Sequence, residues 1–266
     1  GTDTTSLETT TSEAPATTEA PATTAPSLEL IAAGTLTIGS DVPYPPFEDF
    51  DSSGNVIGLD ADLMNEIARR LGLEPVWVDT DFDTIFTQLA MGNFDVVASS
   101  VTLTAERAEQ VSFTDAYYNT NQALTVNVNE TPDIASVDDL AAGDTVAVQT
   151  GTTGAIWAKD NLEPLGIIVR EFVQPPDCFA ALESGDVMGT IIDVDPSLDA
   201  EASREGLAVV QIIATGEVLS FGVNPAAPNL LAAINEVFRQ MVEDGFYQEA
   251  YDRWITRPDA SILYEE

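Results

Sequence analysis

The chain has 266 residues, with 9 lysines and arginines against 45 aspartates and glutamates, so its formal net charge is −36. Nucleic acids and anionic membrane surfaces are bound by clustered Lys and Arg, so this charge argues against both as partners. The sequence contains no histidine, which excludes Ser-His-Asp and Cys-His catalysis and histidine metal sites. The single cysteine, Cys178, cannot form an intramolecular disulfide, and we expect it to be a small packed thiol. We expect neither a metal nor a cofactor.

The N-terminal segment differs in kind from the rest of the chain. Residues 1–28 are mostly Thr, Ala, Pro, Ser and Glu, and EAPATT occurs there twice in tandem. Such a composition buries too little apolar surface to offset the entropy lost on ordering, so we expect a disordered tether over 1–33. The segment lacks the basic start and apolar stretch of a signal peptide. It indicates the tether of a mature exported protein, such as a lipoprotein whose lipid anchor is not part of this chain.

From Thr35 onward the chain alternates short β-rich runs with helical patterns. In 59–72 the apolar residues recur at helical spacing and a glycine follows, which predicts a helix. The other predicted helices are 82–92, 104–111 (with Thr104 as its N-cap), 154–161, 229–245 and 247–255. The predicted strands are 35–41, 75–80, 94–100, 122–129, 145–149, 167–173 and 207–213, with a further α/β unit over 177–196 and a β-rich segment over 216–224.

Short connections between these strands and helices favour mostly parallel sheets covered on both faces. Two such series follow one another, and the segments 122–129 and 216–224 are candidates for crossings between them. No stretch approaches the roughly 18 apolar residues of a membrane span. The sequence therefore predicts an α/β fold with two lobes, each a mostly parallel sheet flanked by helices, joined by two crossing segments.

Polar side chains follow three of the predicted strands, and ligands bind at the carboxyl ends of the strands in sheets of this kind. These side chains are Asp41, Ser99, Ser100, Thr102 and Gln149. Gln149 leads into the turn TGTTG, where Thr152, Thr153 and the start of a helix offer hydroxyls and backbone N–H groups to an anion such as a carboxylate. An ordinary capped turn explains the same pattern.

Two charged residues complete the candidate site. Arg107 follows the hydroxyl-rich segment, and a guanidinium matches a carboxylate with two parallel hydrogen bonds. The alternative is a surface residue paired with Glu106 or Glu109. Asp193 follows the apolar run GTII, and a carboxylate there needs a cation, for which an α-ammonium would serve. An arginine for a carboxylate and an aspartate for an ammonium together indicate an amino acid as ligand.

Aromatic residues stand close to these strand ends. Tyr44 and Phe82 are candidates for two walls around the side chain of the ligand. Core packing is the alternative for both of them, and it is favoured for Phe47.

Several stretches point to a family. They are YPPFE, GLDADLMNEIARRLG, FDTIFTQLAMGNFDVVASSVTLTAERAEQVSFTDAYY, VAVQTGTTG, AALESGDV and EDGFYQEAYDRW. In their order and spacing, from about residue 34 to 257, the chain resembles the amino-acid-binding periplasmic proteins of ABC importers, the family 3 solute-binding proteins with the type II periplasmic binding protein fold. The chain departs from the family at Met188-Gly189, where Asp-Ala is usual, and DVDP is one residue longer than the common motif.

The resemblance implies a role for each candidate residue. Arg107 would bind the α-carboxylate of the ligand with help from Thr153 and the backbone around Ser100 and Thr102, and Asp193 would bind the α-ammonium. Tyr44 and Phe82 would enclose the side chain of the ligand, while Asp41, Ser99 and Gln149 would read its polarity.

The resemblance also implies how the protein works. Lobe 1 would comprise 34–122 and 217–257, lobe 2 would comprise 123–216, and 258–266 would be a C-terminal tail. A ligand that contacts both lobes favours their closed arrangement, as in a Venus flytrap. A membrane permease would then recognise the closed form. We expect a monomer outside the cytoplasm, in the periplasm or at the cell surface.

The ligand class and two alternatives remain open at this point. No second cation stands among the candidate residues, which disfavours aspartate and glutamate, whereas Asp41 and two aromatic walls favour arginine or lysine, with glutamine next. We expect no enzymatic activity. One alternative is a periplasmic dehydratase of the same fold, in which a pocket carboxylic acid protonates a leaving hydroxyl. The other is the ligand-sensing domain of a receptor, which would need a transmembrane helix after Ile255.

Overall fold

The computed structural model describes residues 1–2 and 27–255. Most of the predicted tether and all of the predicted tail 258–266 lie outside the described residues. In chain order the strands and helices are β1 Thr35–Ser40, β2 Asp49–Phe50, β3 Val56–Ile57, α1 Leu59–Leu71, β4 Glu74–Asp79, α2 Ile85–Ala90, β5 Val96–Val97, β6 Ser112–Phe113, β7 Tyr118–Asn127, β8 Thr145–Gln149, α3 Thr153–Asn161, β9 Ile168–Phe172, α4 Pro175–Glu183, β10 Gly189–Asp193, α5 Val194–Ser203, β11 Leu207–Leu219, β12 Gly222–Val223, α6 Pro228–Glu243 and α7 Phe246–Trp254.

Two five-stranded sheets organise the molecule. The first has the order β4-β1-β5-β12-β6, with β1 parallel to β4 and β5 and with β12 antiparallel to its neighbours. The second has the order β11-β7-β10-β8-β9, with β8 parallel to β9 and β10 and with β7 antiparallel to β10 and β11. We call the part built on the first sheet the first lobe and the part built on the second sheet the second lobe. The two-lobed α/β class is confirmed, although both sheets are mixed, because the crossing chain enters each sheet in the opposite direction.

Strands β7 and β11 form the connection between the lobes. They pair with each other from Tyr118 and Leu219 at one end to Asn127 and Leu207 at the other, with two irregularities in register. Tyr118 and Leu219 lie in the core of the first lobe, whereas Leu124, further along β7, lies in the core of the second. The segment predicted at 207–213 and the first part of the segment at 216–224 therefore form one continuous strand, while Gly222–Val223 forms β12 in the other sheet.

The predicted helix over 104–111 is wrong. The structure has only a single 3-10 turn there, Arg107–Glu109. The backbone N–H of Arg107 donates to the Thr104 hydroxyl at 3.1 Å, but the N-cap residue of this turn is Glu106 and not Thr104. The helix cannot extend because the chain enters β6 at Ser112, where it pairs with β12. The helix predicted over 82–92 likewise begins as a 3-10 turn, Phe82–Thr84, before α2.

The amphipathic helices predicted at both ends of the folded region are confirmed as α1, α6 and α7. Their apolar faces meet in the core of the first lobe, which also holds Phe47. Gly72 ends α1 in the left-handed conformation, with φ of 71°, as expected of a C-cap glycine. Cys178 is fully buried beside Phe179 in the second lobe, so the packed thiol is confirmed. Among residues 27–255, no helix has both the length and the apolar character needed to cross a bilayer.

The end of the predicted tether lies against the first lobe. The Glu29 carboxylate accepts hydrogen bonds from the backbone N–H groups of Asn229 and Leu230, each at 3.1 Å, at the start of α6. A negative charge is favourable at a helix N-terminus, where backbone N–H groups lack partners within the helix. The N–H of Ile31 donates to Asp95 at 2.7 Å. These contacts hold Glu29 and Ile31 against the first lobe.

Candidate ligand-binding site

The sequence-predicted site residues meet in one cleft between the two lobes. The cleft is lined by Asp41, Tyr44, Phe82, Ser99, Ser100, Thr102, Arg107, Gln149, Thr152, Thr153 and Asp193, all of which were candidates from the sequence. Three further residues line it that sequence reasoning did not single out, namely Glu48, Gln122 and Ile192. The cleft lies where the strands of both sheets end, as expected for a site in α/β sheets.

Arg107 is the buried cation of the cleft, with 8% of its surface exposed. Its guanidinium donates to the carbonyl of Thr102 at 2.8 Å and, across the cleft, to the carbonyl of Gly151 at 3.0 Å. It also lies 5.2 Å from the ring centroids of Phe82 and Phe86, within the range of a cation–π contact. These contacts orient the guanidinium.

The charge of Arg107 has no carboxylate directly paired with it. Within residues 27–255, Arg107 forms no ion pair at 4 Å or less, with Glu106, Glu109 or any other acid. Burial lowers the pKa of Arg107, while the charges of Asp193 and Glu217 raise it. An arginine remains protonated under these conditions. The surface-pairing alternative is therefore excluded, and the buried positive charge is suited to an anionic group.

Asp193 is the acid on the opposite wall. It ends β10 and is 6% exposed, and its carboxylate accepts from Gln122 Nε2 at 2.5 Å and from the Tyr44 hydroxyl. Burial, reinforced by the neighbouring Glu217, raises the pKa of Asp193 to about 8. The unusual Met188-Gly189 pair lies at the start of the strand, so it does not remove Asp193 from the cleft. A cation placed beside this carboxylate would relieve the cost of its burial.

The two aromatic residues have mixed roles. Phe82 packs with Ile85 and Leu89 in a small core and also lines the cleft, so core packing and a cleft position hold together. The Tyr44 ring stacks against Phe47, with 6.5 Å between centroids. Burial raises the pKa of Tyr44 well above its usual value, so its hydroxyl stays protonated and can donate to Asp193.

Asp41 is bound by glutamines from the second lobe. Its Oδ2 accepts from Gln149 Nε2 at 2.5 Å, and its Oδ1 accepts from Gln174 Nε2 at 2.7 Å. Burial raises the pKa of Asp41 to about 6, although the two amide bonds act in the other direction. Both carboxylate oxygens thus form bonds across the cleft. Sequence reasoning missed Gln174, because a glutamine in a loop before a helix carries no distinguishing signal.

Two carboxyl groups lie together on the first-lobe side, and we call them the Glu48–Asp60 pair. The side chain of Glu48 lies 3.2 Å from the Ser100 hydroxyl and 3.3 Å from that of Ser99. Asp60 accepts from the backbone N–H of Ser100 at 3.0 Å and from the Tyr117 hydroxyl at 2.6 Å. Both are fully buried. Glu48 is the last residue of YPPFE, so the motif contained it, but nothing in the motif indicated a buried carboxyl.

Burial shifts the titration of this pair. Burial and the charge of Asp60 raise the pKa of Glu48 well above its usual value. Burial likewise raises the pKa of Asp60 to about 7. Ser100 contacts both groups and has a φ of 49°, in the left-handed region that serine seldom adopts. Its backbone N–H and its hydroxyl are thereby directed to two different carboxyl groups.

The hydroxyls at the mouth of the cleft converge on Glu217. This residue of β11 accepts from Thr102 at 2.8 Å, from Thr153 at 2.6 Å and from Gln122 at 3.0 Å. Thr102 belongs to the first lobe and Thr153 to the second. Glu217 was missed because its position on a crossing strand, not its local sequence, brings it to the cleft. The hydroxyl of Thr152 instead caps α3, accepting from the N–H of Ala155, so the turn is also a helix cap.

A cleft between two α/β lobes, with a buried cation on one wall and a buried acid on the other, defines a periplasmic-type binding protein. Residues 36–257 match the family described as bacterial extracellular solute-binding proteins, family 3. The chain belongs to this family, which confirms the resemblance read from its motifs.

Individual relatives agree with this assignment. The chain is 29% identical over 229 residues to the L-cystine-binding protein TcyJ of Escherichia coli strain K12, covering 84% of this chain and 83% of that protein. It is 27% identical over 233 residues to the ABC transporter arginine-binding protein 1 of the same strain, covering 84% and 92%. Among solved structures, an ancestral arginine-binding protein bound to arginine is 33% identical, with a TM-score of 0.79 over 84% of this chain and 99% of that one. All three are described as binding proteins.

Proposed function

We propose that the protein captures an amino acid with a cationic side chain, arginine before lysine, and delivers it to the permease of an ABC importer. The observation that carries the proposal is the placement of Arg107 and Asp193. One comes from the first lobe and the other from the second, yet both line the same cleft and neither has a directly paired countercharge among the described residues. A zwitterion supplies both missing charges at once.

The α-carboxylate is expected beside Arg107. A guanidinium forms charge-assisted hydrogen bonds with a carboxylate, and the hydroxyls of Thr102 and Thr153 add donors nearby. These hydroxyls now donate to the carboxylate of Glu217, so the α-carboxylate of the ligand would accept their hydrogen bonds in place of Glu217. The α-ammonium is expected beside Asp193, where it would allow this carboxyl group to ionise.

The side chain of the ligand is expected between Phe82 and Tyr44, toward Asp41 and Glu48. Apart from Arg107, no lysine or arginine of the described residues lines the cleft, so an acidic side chain would find no partner there. A guanidinium offers five donors and one positive charge to a wall of carboxyl groups and aromatic rings. Similarity to two proteins described as arginine-binding supports the same choice. Glutamine, which donates only through its amide, is the next candidate.

Hydrogen bonds across the cleft hold the two lobes together in the closed arrangement. Gln149 and Gln174 bond to Asp41 across the cleft, and Arg107 bonds to the carbonyl of Gly151. A ligand that bridges Arg107 and Asp193 adds its own bonds to this set and so shifts the lobes toward the closed state. We infer that the closed monomer, held outside the cytoplasm by its N-terminal segment, is the form that the permease recognises. Binding and release suffice for this role, without chemistry on the ligand.

A calorimetric titration with a panel of ligands tests the proposal. We expect L-arginine to bind more tightly than L-lysine and L-glutamine, and L-glutamate not to bind. Agmatine, which lacks the α-carboxylate, is the control that isolates Arg107, and it should bind far more weakly than arginine. Tighter binding of L-glutamate or L-cystine than of L-arginine would overturn the cationic assignment.

A further inference from the structure

The Glu48–Asp60 pair is assembled within the first lobe alone. Its four hydrogen-bonding partners are the hydroxyls of Ser99, Ser100 and Tyr117 and the backbone N–H of Ser100. The side chains of Phe47 and Tyr117 beside the pair lie in the first-lobe core. Opening of the cleft therefore leaves these contacts in place. Only Glu48 of the two carboxyl groups lines the cleft, so it is the one that a ligand can touch.

No cation of the described residues contacts the pair directly, although Arg107 lines the same cleft. The titratable groups that face it are Asp41 at the end of β1, Tyr44 in the following loop, Tyr117 before β7, and Tyr247 of α7 beyond Tyr117. Each is an acid or a neutral phenol. No lysine or arginine of the described residues donates a hydrogen bond to Glu48 or Asp60 or lies within 4 Å of them.

Two buried carboxyl groups that share a serine cannot both ionise cheaply without a cation, since each negative charge disfavours the other. We propose that the Glu48–Asp60 pair holds one proton while the cleft lacks ligand, and that a cationic side chain displaces this proton to solvent on binding. The inference rests on the proposed function. The charges balance, because the pair passes from −1 to −2 as one positive charge enters beside it.

Burial of the two carboxyl groups also favours the singly protonated pair. It raises the pKa of both Glu48 and Asp60 relative to their usual values, so the pair retains a proton near neutral pH. The exchange gives the site a means of discrimination. A neutral side chain of the same shape would leave the proton in place and gain no ionic contact. A cation gains that contact by displacing the proton, and this costs more as the pH falls, so its affinity should weaken in acid.

Calorimetry in two buffers of different ionisation enthalpy, phosphate and Tris, measures protons released on binding. The ligands are L-arginine and L-citrulline, which share shape and α-groups but differ in side-chain charge. Asp193 meets the same α-ammonium in both, so protons released from Asp193 cancel in the comparison. We expect arginine to release about one proton more than citrulline at pH 7. Equal release would overturn the exchange, while arginine binding itself would leave the proposed function standing.

Two variants test whether the released proton comes from the Glu48–Asp60 pair. In Glu48→Gln the excess release should vanish, whereas in Asp41→Asn, which removes the other carboxylate near the ligand side chain, it should persist. The reverse pattern would overturn the assignment to the pair. If citrulline does not bind, the difference between these two variants with arginine decides the question in the same way. Failure of arginine to bind the unaltered protein would reject the proposed function as well.

A measurement on the unaltered protein covers the case in which Glu48→Gln fails to fold. The dissociation constant of arginine should rise by up to about tenfold per pH unit below the point of proton release. Between pH 8 and pH 6 this rise should exceed the rise seen with citrulline. Parallel curves for the two ligands would contradict the exchange.

Discussion

The two walls of the cleft are built in different ways. On the first-lobe wall, Glu48 and Asp60 each bond to Ser100 and to a further hydroxyl of the same lobe, so the wall is complete before closure. On the second-lobe wall, the amides of Gln149 and Gln174 bond to Asp41 on the opposite side. These bonds exist only when the lobes are together. Opening of the cleft would therefore break the bonds of the second-lobe wall to Asp41 and leave those of the first-lobe wall intact.

Asp193 lies between these two cases. Its partners are Gln122 on the crossing strand β7 and Tyr44 of the first lobe. The acid that we assign to the α-ammonium is therefore oriented partly by its own lobe and partly by the closed arrangement. Opening of the cleft should therefore remove the bond from Tyr44 and leave the bond from Gln122.

The largest expected effect is that of Arg107→Ala. This change removes the buried cation from the first-lobe wall and leaves the α-carboxylate of the ligand without its partner. We expect arginine binding to weaken by about 2–5 kcal/mol, measured by calorimetry. Arg239→Ala removes an exposed arginine of α6 and is the matched control. Unchanged affinity in Arg107→Ala would remove Arg107 from the site.

Asp193→Asn should change binding and stability in opposite directions. Loss of the carboxylate should weaken binding of the α-ammonium by about 1.5–3 kcal/mol. The same change removes a buried acid that folding keeps protonated near neutral pH at a cost in free energy, so the ligand-free protein should gain about 1–2 kcal/mol in free energy of unfolding. Calorimetry and chemical denaturation measure the two effects. A loss of both binding and stability would show that Asp193 has a mainly structural role.

The pH dependence of the free energy of unfolding tests whether the buried acids of both walls destabilise the ligand-free protein when they ionise. The pKa is raised to about 6 for Asp41, about 7 for Asp60 and about 8 for Asp193, all above the value near 4 of an unfolded chain. The folded state therefore binds more protons than the unfolded state between pH 4 and 8. Stability should then fall as the pH rises across this range, by at least about 1 kcal/mol.

Urea denaturation of the ligand-free protein at pH 5, 6.5 and 8 measures this trend. Saturating arginine should flatten it, because the ligand supplies positive charge to the ionised cleft. If the ligand-free protein becomes more stable from pH 5 to 8, the pKa values of these acids are not raised in the folded state.

The smallest expected effect is that of Gln174→Ala, which removes one bond from the second-lobe wall to Asp41. We expect arginine affinity to fall by about 0.5–1.5 kcal/mol, the usual net contribution of a hydrogen bond. Solution scattering should show a larger radius of gyration for the ligand-free variant and the same radius with ligand. Gln248→Ala, on the exposed face of α7, is the control. If both variants behave alike, the Gln174 bond does not contribute to closure.

Local sequence patterns predicted much of the fold. The helix over Leu59–Leu71 and its C-cap at Gly72 followed from apolar spacing and one glycine, both of which act within a few residues. The helix over 104–111 failed because pairing of β6 with β12, about 110 residues away in sequence, ends it early. For the same reason the break predicted between 213 and 216 was wrong, because pairing with β7 continues β11 from Leu207 to Leu219.

The sequence by itself determined which chemical groups stand at strand ends, because a strand end is a local feature. Arg107 follows a strand with small polar residues after it, and Asp193 ends the apolar strand β10. Tertiary structure alone decided which groups share a surface. It buried Glu48 against Asp60 and brought Glu217 and Gln174 to the cleft. The reason is physical: the pKa of a carboxyl group and the partners of an amide depend on neighbours distant in the chain, and folding alone places those neighbours within bonding distance.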